Sequence, residues 1–375
     1  MSKRQAVLMM FCFTGLGSAG ACATSKQVSP SSGVAQSSPS ETEAVRIIYD
    51  TDMSLDVDDV GALALLHALA DRGEAELLGV MVSESIRSYD GLWGPPLVDI
   101  VNTYYGRPNI PVGIYKGPAA EIGSYGKFAE KVIRAGFPHD LKEAEQSEDA
   151  TRLYRKLLSA SPPRSVTIVS SGYLTNLYGL LLSMPDDISP MTGMELVART
   201  VTEWTCSGGR YPSSGTAPEL NFARYPDTTR YVLSNWPGKV MFTGDELAAQ
   251  YQTGGKLTNT FEISVNPVAM SWHHFNGGQP QASRDSVAVL YAVRGLDGGS
   301  THYFRKGVNG ANHFEKLEGF NRSGRLSQAQ NTWQTDASGP QSYLKAAAAT
   351  LPVTNTIDEL ITAPPAKSAP VSASH

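Results

Sequence analysis

Five strand-length apolar runs punctuate the chain: VRIIY (45–49), AELLGVMV (75–82), SVTIVS (165–170), MELVARTV (194–201) and KVMFTG (239–244). Between them lie longer stretches of helical pattern, DDVGALALLHALA (58–70), Leu97 to Tyr105, Asp149 to Ala160, Leu174 to Leu182 and Asp285 to Val293. Strands that are apolar almost end to end must be covered on both faces. The pattern therefore predicts an α/β fold, a mostly parallel central sheet with helices on both faces. In such sheets ligands sit beyond the carboxyl ends of the strands, so the residues following each run are where chemistry is to be sought.

The two ends of the chain read differently. Residues 1–23 combine Lys3 and Arg4, an apolar stretch from Ala6 to Gly17 and the small-residue run GSAGACAT, the pattern of a secretory signal rather than a membrane span. Two processing routes fit: lipidation of Cys22 as the first residue of a bacterial lipoprotein, or plain cleavage near Ala21-Cys22-Ala23. Either predicts an exported protein, in the periplasm or anchored to the outer membrane, touching a membrane only through that N-terminal lipid. Residues 24–43 are Ser/Pro-rich and read as a flexible tether, residues 44–362 as one large domain, and residues 363–375 as a disordered tail.

With 41% hydrophobic residues, that domain has ample material for a core. A net charge of −5 and the lack of a long basic run argue against nucleic acid as a partner. Only Cys12, Cys22 and Cys206 are present, so a disulfide framework is excluded. The sequence leaves a homo-oligomer open.

After the first run, IIYDTDMSLDVDD places Asp50, Asp52, Asp56, Asp58 and Asp59 within ten residues. Carboxylates this dense repel one another, and a hard divalent cation or protonation must hold them together. Asp58 and Asp59 also open a helix, where acids gain from the helix dipole. An EF-hand is a poor match, because Leu55 replaces the needed Gly and Gly61 the closing Glu. A phosphatase of the haloacid dehalogenase type, with Asp50 as nucleophile and Asp52 as acid/base, does not account for Asp58 and Asp59.

DTDMSLDVDDVGALALL resembles the DxDxxxDD signature of the nucleoside hydrolases of the inosine-uridine-preferring type, in a form two residues longer, as in a secreted and lipoprotein-like branch. IVSSGYLTNL (168–177), PELNF (218–222) and ASRDSVAVLYAV (282–293) resemble later motifs of that family in the same order, over about Arg46 to Gly295. The resemblance implies an open nucleoside-hydrolase-like fold and a Ca²⁺ site made by Asp52, Asp59, Asp285 and the backbone carbonyl of Ser171. These are hard oxygen ligands that suit calcium. It further implies that Asp52 is the general base for N-glycosidic hydrolysis of a nucleoside or other riboside. Asp58 would hold a ribose hydroxyl, with Asp56 as the alternative for that role, and Glu219 and Asn221 would bind the ribose from an extended segment.

Leaving-group chemistry departs from the family pattern. Where several members carry His before the late Asp, this chain has Arg284, a permanently charged group suited to binding an anion or stacking on a ring rather than giving up a proton. Replacement donors are His273 and His274, in a predicted helix after Pro267, or His313. Trp204, Tyr211 and Tyr225 flank the Glu219–Asn221 segment and are candidates for stacking on a base or for the core. The region from Gly298 onward reads as a hairpin appendage followed by a short helix. Three functions follow: a calcium-dependent ribohydrolase, a lipoprotein that binds ribosides without cleaving them, and a phosphatase.

Overall fold

A computed structural model describes residues 43–120, 127–215, 219–298, 301–316 and 329–366. The signal and tether segments and most of the C-terminal tail lie outside the described residues. The first half of the domain runs β1 (Val45–Thr51), α1 (Asp58–Asp71), β2 (Ala75–Ser85), α2 (Tyr89–Tyr104), β3 (Val112–Tyr115), α3 (Phe128–Arg134), β4 (Glu148–Asp149), α4 (Ala150–Ala160), β5 (Val166–Ser170), α5 (Thr175–Leu182), α6 (Gly193–Thr200) and β6 (Val201–Ser207). The second continues with α7 (Leu220–Ala223), α8 (Pro226–Asn235), β7 (Val240–Thr243), α9 (Asp245–Ala248), β8 (Gln252–Thr253), α10 (Leu257–Thr260), α11 (Pro267–Asn276), β9 (Gln281–Ala282) and α12 (Arg284–Arg294). Small strands β10 (Asp297–Gly298), β11 (Thr301–His302) and β12 (Phe304–Lys306) lead to β13 (Gly310–Lys316), β14 (Ala329–Thr335), β15 (Gln341–Ala346) and α13 (Leu351–Ile361).

The main sheet has the order β14-β13-β15-β7-β6-β5-β1-β2-β3-β4. From β15 to β4 every neighbouring pair is parallel, while β13 and β14 add an antiparallel edge. Chain order runs outward in both directions from the β1–β5 pair, so that pair is the topological switch point, where the carboxyl ends open a crevice. The parallel sheet and its helices match the sequence expectation.

Alternation along β1 covers both faces. Ile47 and Tyr49 join the apolar cluster built with α1, α12 and α13, whereas Ile48 joins the one built with α4, α5 and α6. On α1, Leu63, Leu65, Leu66 and Leu69 are all fully buried, which explains an apolar pattern wider than one stripe. Each contributes about 1.5–3 kcal/mol relative to exposure. His67 on the same helix is a packing residue: it bonds Asn102 at 2.9 Å, stacks on Tyr105, and burial pushes its pKa down to about 3.

Three expectations are corrected. MELVARTV is helix α6 up to Thr200, and the strand begins only at Val201. Thr192 and Glu195 form a reciprocal capping box at its start, and Leu196, Val197 and Thr200 bury one helical face. Helix α2 begins at Tyr89, not Leu97, and runs through Pro95 and Pro96; Ser88 caps it by accepting from the Gly91 N–H at 3.0 Å, and both prolines are buried. The region after Gly298 is more than an appendage, because β15 extends the main sheet parallel to β7. The hairpin itself (β13–β14) and the short helix α13 are present as expected. Among the described residues no helix is long and apolar enough to cross a membrane.

Candidate active site

The switch point is closed by glycine. The turn after β5 lies directly against the turn after β1, and an added Cβ at Gly172 would sit 2.5 Å from the Asp52 amide nitrogen and 2.8 Å from the Thr51 carbonyl carbon. Gly172→Ala is expected to destabilise the fold by about 1–3 kcal/mol, measured by chemical denaturation, because backbone has to move to relieve that overlap. The two turns are also joined by the Ser171 N–H donating to the Asp50 carbonyl at 2.7 Å. Within the β1–α1 loop, Ser54 adopts φ +93° and its hydroxyl donates to the Asp90 carbonyl at 2.6 Å.

This loop delivers the acids. Ligand oxygens of Asp58, Asp59 and Asp285 all lie within 4.8 Å of one another, a group able to hold a metal ion. Asp58 and Asp59 come from the first turn of α1 and Asp285 from the first turn of α12. Asp59 accepts from the Thr51 hydroxyl, and Asp58 from the Arg284 backbone N–H at 2.9 Å. Burial pushes all three carboxyls well above their ordinary range, and the neighbouring acids push them further. Asp52 is raised to about 8 by burial and by Glu84, against the opposing charge of Arg224. Its Oδ2 is buried without a hydrogen-bond partner among the described residues. Such a set of oxygen donors is poorly satisfied by the protein alone and suits a hard cation.

Asp52, Asp58, Asp59, Ser171 and Asp285 line one cavity of about 430 Å³. Glu219, Asn221 and Arg284 line it as well, so most of the residues singled out in the sequence meet there. The local conformation of Glu219 and Asn221 differs from the extended segment expected. Glu219 caps the short helix α7, accepting from the backbone N–H groups of Asn221, Phe222 and Gly209. Burial raises it to about 7. The Asn221 side-chain amide donates to the carbonyls of Ser171 at 2.9 Å and Ser207 at 3.1 Å. It thereby ties α7 to the ends of β5 and β6.

Other candidates lie elsewhere. His273 is exposed and His274 half-buried on α11; from that helix it is Phe275 that lines the cavity. His313 is exposed on β13. Trp204 and Tyr211 are core residues: Trp204 donates to the Ser170 hydroxyl at 2.8 Å and packs on Trp236, while Tyr211 stacks on Tyr343. Tyr225 is half-buried and accepts from the Ala120 N–H at 2.8 Å. Asp50 is fully buried, accepting from Tyr154 at 2.8 Å and from Asn176 at 3.0 Å. Both its oxygens are engaged, which leaves no exposed carboxylate for the nucleophilic role of the phosphatase reading. Asp56 accepts two 3.1 Å hydrogen bonds from Gln281.

Four charged groups at or beside the site, Glu84, Arg224, Arg210 and Asp245, were not singled out in the sequence. Glu84, at the end of β2, is fully buried and lies 3.6 Å from the Arg224 guanidinium, which packs on the Tyr173 ring and bonds its hydroxyl. Glu84 Oε2 and Arg224 Nε are both without hydrogen-bond partners among the described residues. Arg210 follows β6 and Asp245 follows β7, and both line the cavity. Glu84, Arg210 and Asp245 stand at the carboxyl ends of strands, the position the fold class marks out, whereas Arg224 follows helix α7.

No family model and no curated protein sequence matches the chain. Solved structures do. The purine-preferring ribonucleoside hydrolase from Gardnerella vaginalis is 14% identical, with a TM-score of 0.62 over 84% of this chain and 98% of that one. An inosine-guanosine nucleoside hydrolase is 17% identical, with a TM-score of 0.61 over 84% and 98%. The type III effector protein XopQ complexed with adenosine diphosphate ribose is 14% identical, with a TM-score of 0.60 over 86% and 94%. At these identities the likeness establishes the fold, which is that of the nucleoside hydrolases.

Proposed function

We propose that the protein is a calcium-dependent hydrolase of the N-glycosidic bond of ribonucleosides or related ribosides. The observation that carries this reading is the convergence of Asp58, Asp59 and Asp285 on one cavity with Asp52, at the switch point of the sheet. We assign Asp59, Asp285, Asp52 and the Ser171 carbonyl to the ion. A divalent cation held there would supply an oriented water of lowered pKa. Asp52, whose Oδ2 lacks a partner, takes a proton from the water as its oxygen bonds to the anomeric carbon. The N-glycosidic bond breaks, its electron pair leaving with the base nitrogen, and the surrounding carboxylates favour positive charge developing on the sugar.

Asp58, fixed by the Arg284 N–H, binds a ribose hydroxyl together with Glu219 and Asn221, which holds the ring in register with the water. The export signal read from residues 1–23 supports a site of action outside the cytoplasm. Asp52→Asn is expected to lower sugar release from nucleosides and p-nitrophenyl riboside by about 10²–10⁴-fold, and chelation to abolish it. Undiminished release in either control overturns the reading. One observation favours a second reading, a riboside-binding protein without turnover: no histidine lines the cavity among the described residues. Saturable riboside binding with no release would select it.

A further inference from the structure

The cavity is electrically two-sided. One part is the carboxylate group described above; another is a guanidinium pair astride a single acid. Asp245 Oδ1 accepts from Arg284 Nε at 2.7 Å, and Oδ2 accepts from Arg210 Nε at 3.2 Å and Nη2 at 2.8 Å. Burial acts to raise Asp245, but the hydrogen bonds and charges of the two arginines outweigh it and hold it below its ordinary range. Two guanidinium groups therefore share the Asp245 carboxylate, and the Asp56 carboxylate stands a further 3.9 Å from Arg284 Nη1.

Both guanidinium groups are within reach of a ligand. The arginine side chains are 35% and 38% exposed, and both line the cavity. Among the described residues, the Arg284 guanidinium makes no other hydrogen bond, so its terminal nitrogens keep their donors. The Asp56 carboxylate is 3.9 Å from Nη1 and is already bonded by Gln281 and the Val57 N–H. Were Arg284 present only to neutralise the acidic group, its terminal nitrogens would be expected on Asp58; instead Asp58 receives the backbone N–H. Arg210 is held in place by its own main chain: its N–H donates to Asn331 Oδ1 at 3.1 Å and its carbonyl accepts from Asn331 Nδ2 at 2.7 Å. A planar fork of unused donors at a fixed position suits an oxyanion.

We propose that the ligand is a riboside bearing an oxyanion, either a carboxylate on its ring or a phosphate on its sugar, seated against Arg284 and Arg210. This rests on the riboside reading above. The acidic side takes the sugar hydroxyls and the guanidinium side the anion, so neutral nucleosides satisfy only half of the cavity.

The test is calorimetric titration of the full-length Asp52→Asn protein, at a calcium concentration shown by prior titration to saturate that variant, against uridine, orotidine and uridine 5′-monophosphate at low and high salt. The expected result is that one of the two anionic probes binds at least about tenfold more tightly than uridine at low salt, an advantage that shrinks as salt screens the contact. Which of them does so distinguishes the ring carboxylate from the sugar phosphate. Adding Arg284→Gln is expected to bring the preferred anion to within about threefold of uridine, the ratio of the two being read within each variant, and Arg284→Lys to restore part of the difference. Equal binding of uridine and both anions, or an advantage that survives Arg284→Gln combined with Arg210→Gln, overturns the proposal but leaves the riboside reading standing. Failure of all three probes to bind overturns both.

Discussion

Asp285→Asn is expected to move stability and metal binding in opposite directions. In chelator, the carboxylates of Asp58, Asp59 and Asp285 crowd one another, and burial leaves them poorly solvated. At a pH high enough to ionise all three despite burial, an asparagine amide at position 285 removes one charge and can donate to the two that remain, a gain of about 2 kcal/mol for a hydrogen bond to a charged group. On the proposed calcium assignment the same change removes a ligand and is expected to weaken affinity by more than the roughly 10–100-fold typical of outer-shell partners. Denaturant unfolding in chelator and a calcium titration read the two effects separately. A variant destabilised in chelator would mean that the acids are not repelling one another.

The second large effect is on pH. In the folded chain Asp50 titrates at about 7 and Asp52 at about 8, and burial likewise raises Asp58, Asp59 and Asp285. The unfolded chain loses these protons near the ordinary carboxylate pKa of about 4. Between about pH 4 and 8 the folded state therefore binds more protons than the unfolded one, and its stability falls as pH rises. In chelator the melting temperature is expected to drop from pH 5 to pH 8 by on the order of 5–10 °C. Saturating calcium should remove most of that drop, since the ion replaces the lost protons and binds only the folded state. A melting temperature that rises with pH in chelator would contradict the burial of these acids.

What was legible in the sequence was local. The apolar runs announced the parallel sheet, and the run from Asp50 to Asp59, at a strand end and a helix start, announced the acidic site. Asp285 was found through a helix start and a resemblance. The misread segments are those in which two local patterns compete. MELVARTV is short and apolar enough for either period, and only the Thr192–Glu195 capping box, at its edge, decides for helix. Pro95 and Pro96 argue against a helix that burial of its first turns sustains. The missed residues depend on partners far along the chain. Arg284 meets Asp245 across 39 positions, and Asp50 meets Tyr154 across 104. No periodicity reports such a pair. Glu84, Arg210 and Asp245 nevertheless stood at strand ends, where the fold class directs attention.

The antiparallel edge has a consequence for how such a protein changes over generations. The acids sit on the parallel strands and the helices that follow them. Arg210, by contrast, is gripped by Asn331 of the β13–β14 hairpin, and Phe314 of that hairpin packs on Phe222 beside Asn221. A hairpin closes on itself and tolerates revision of its surface more readily than a buried strand does. Substitutions in that peripheral ribbon are therefore expected to alter how Arg210 is presented to the pocket while the acidic residues stay in place.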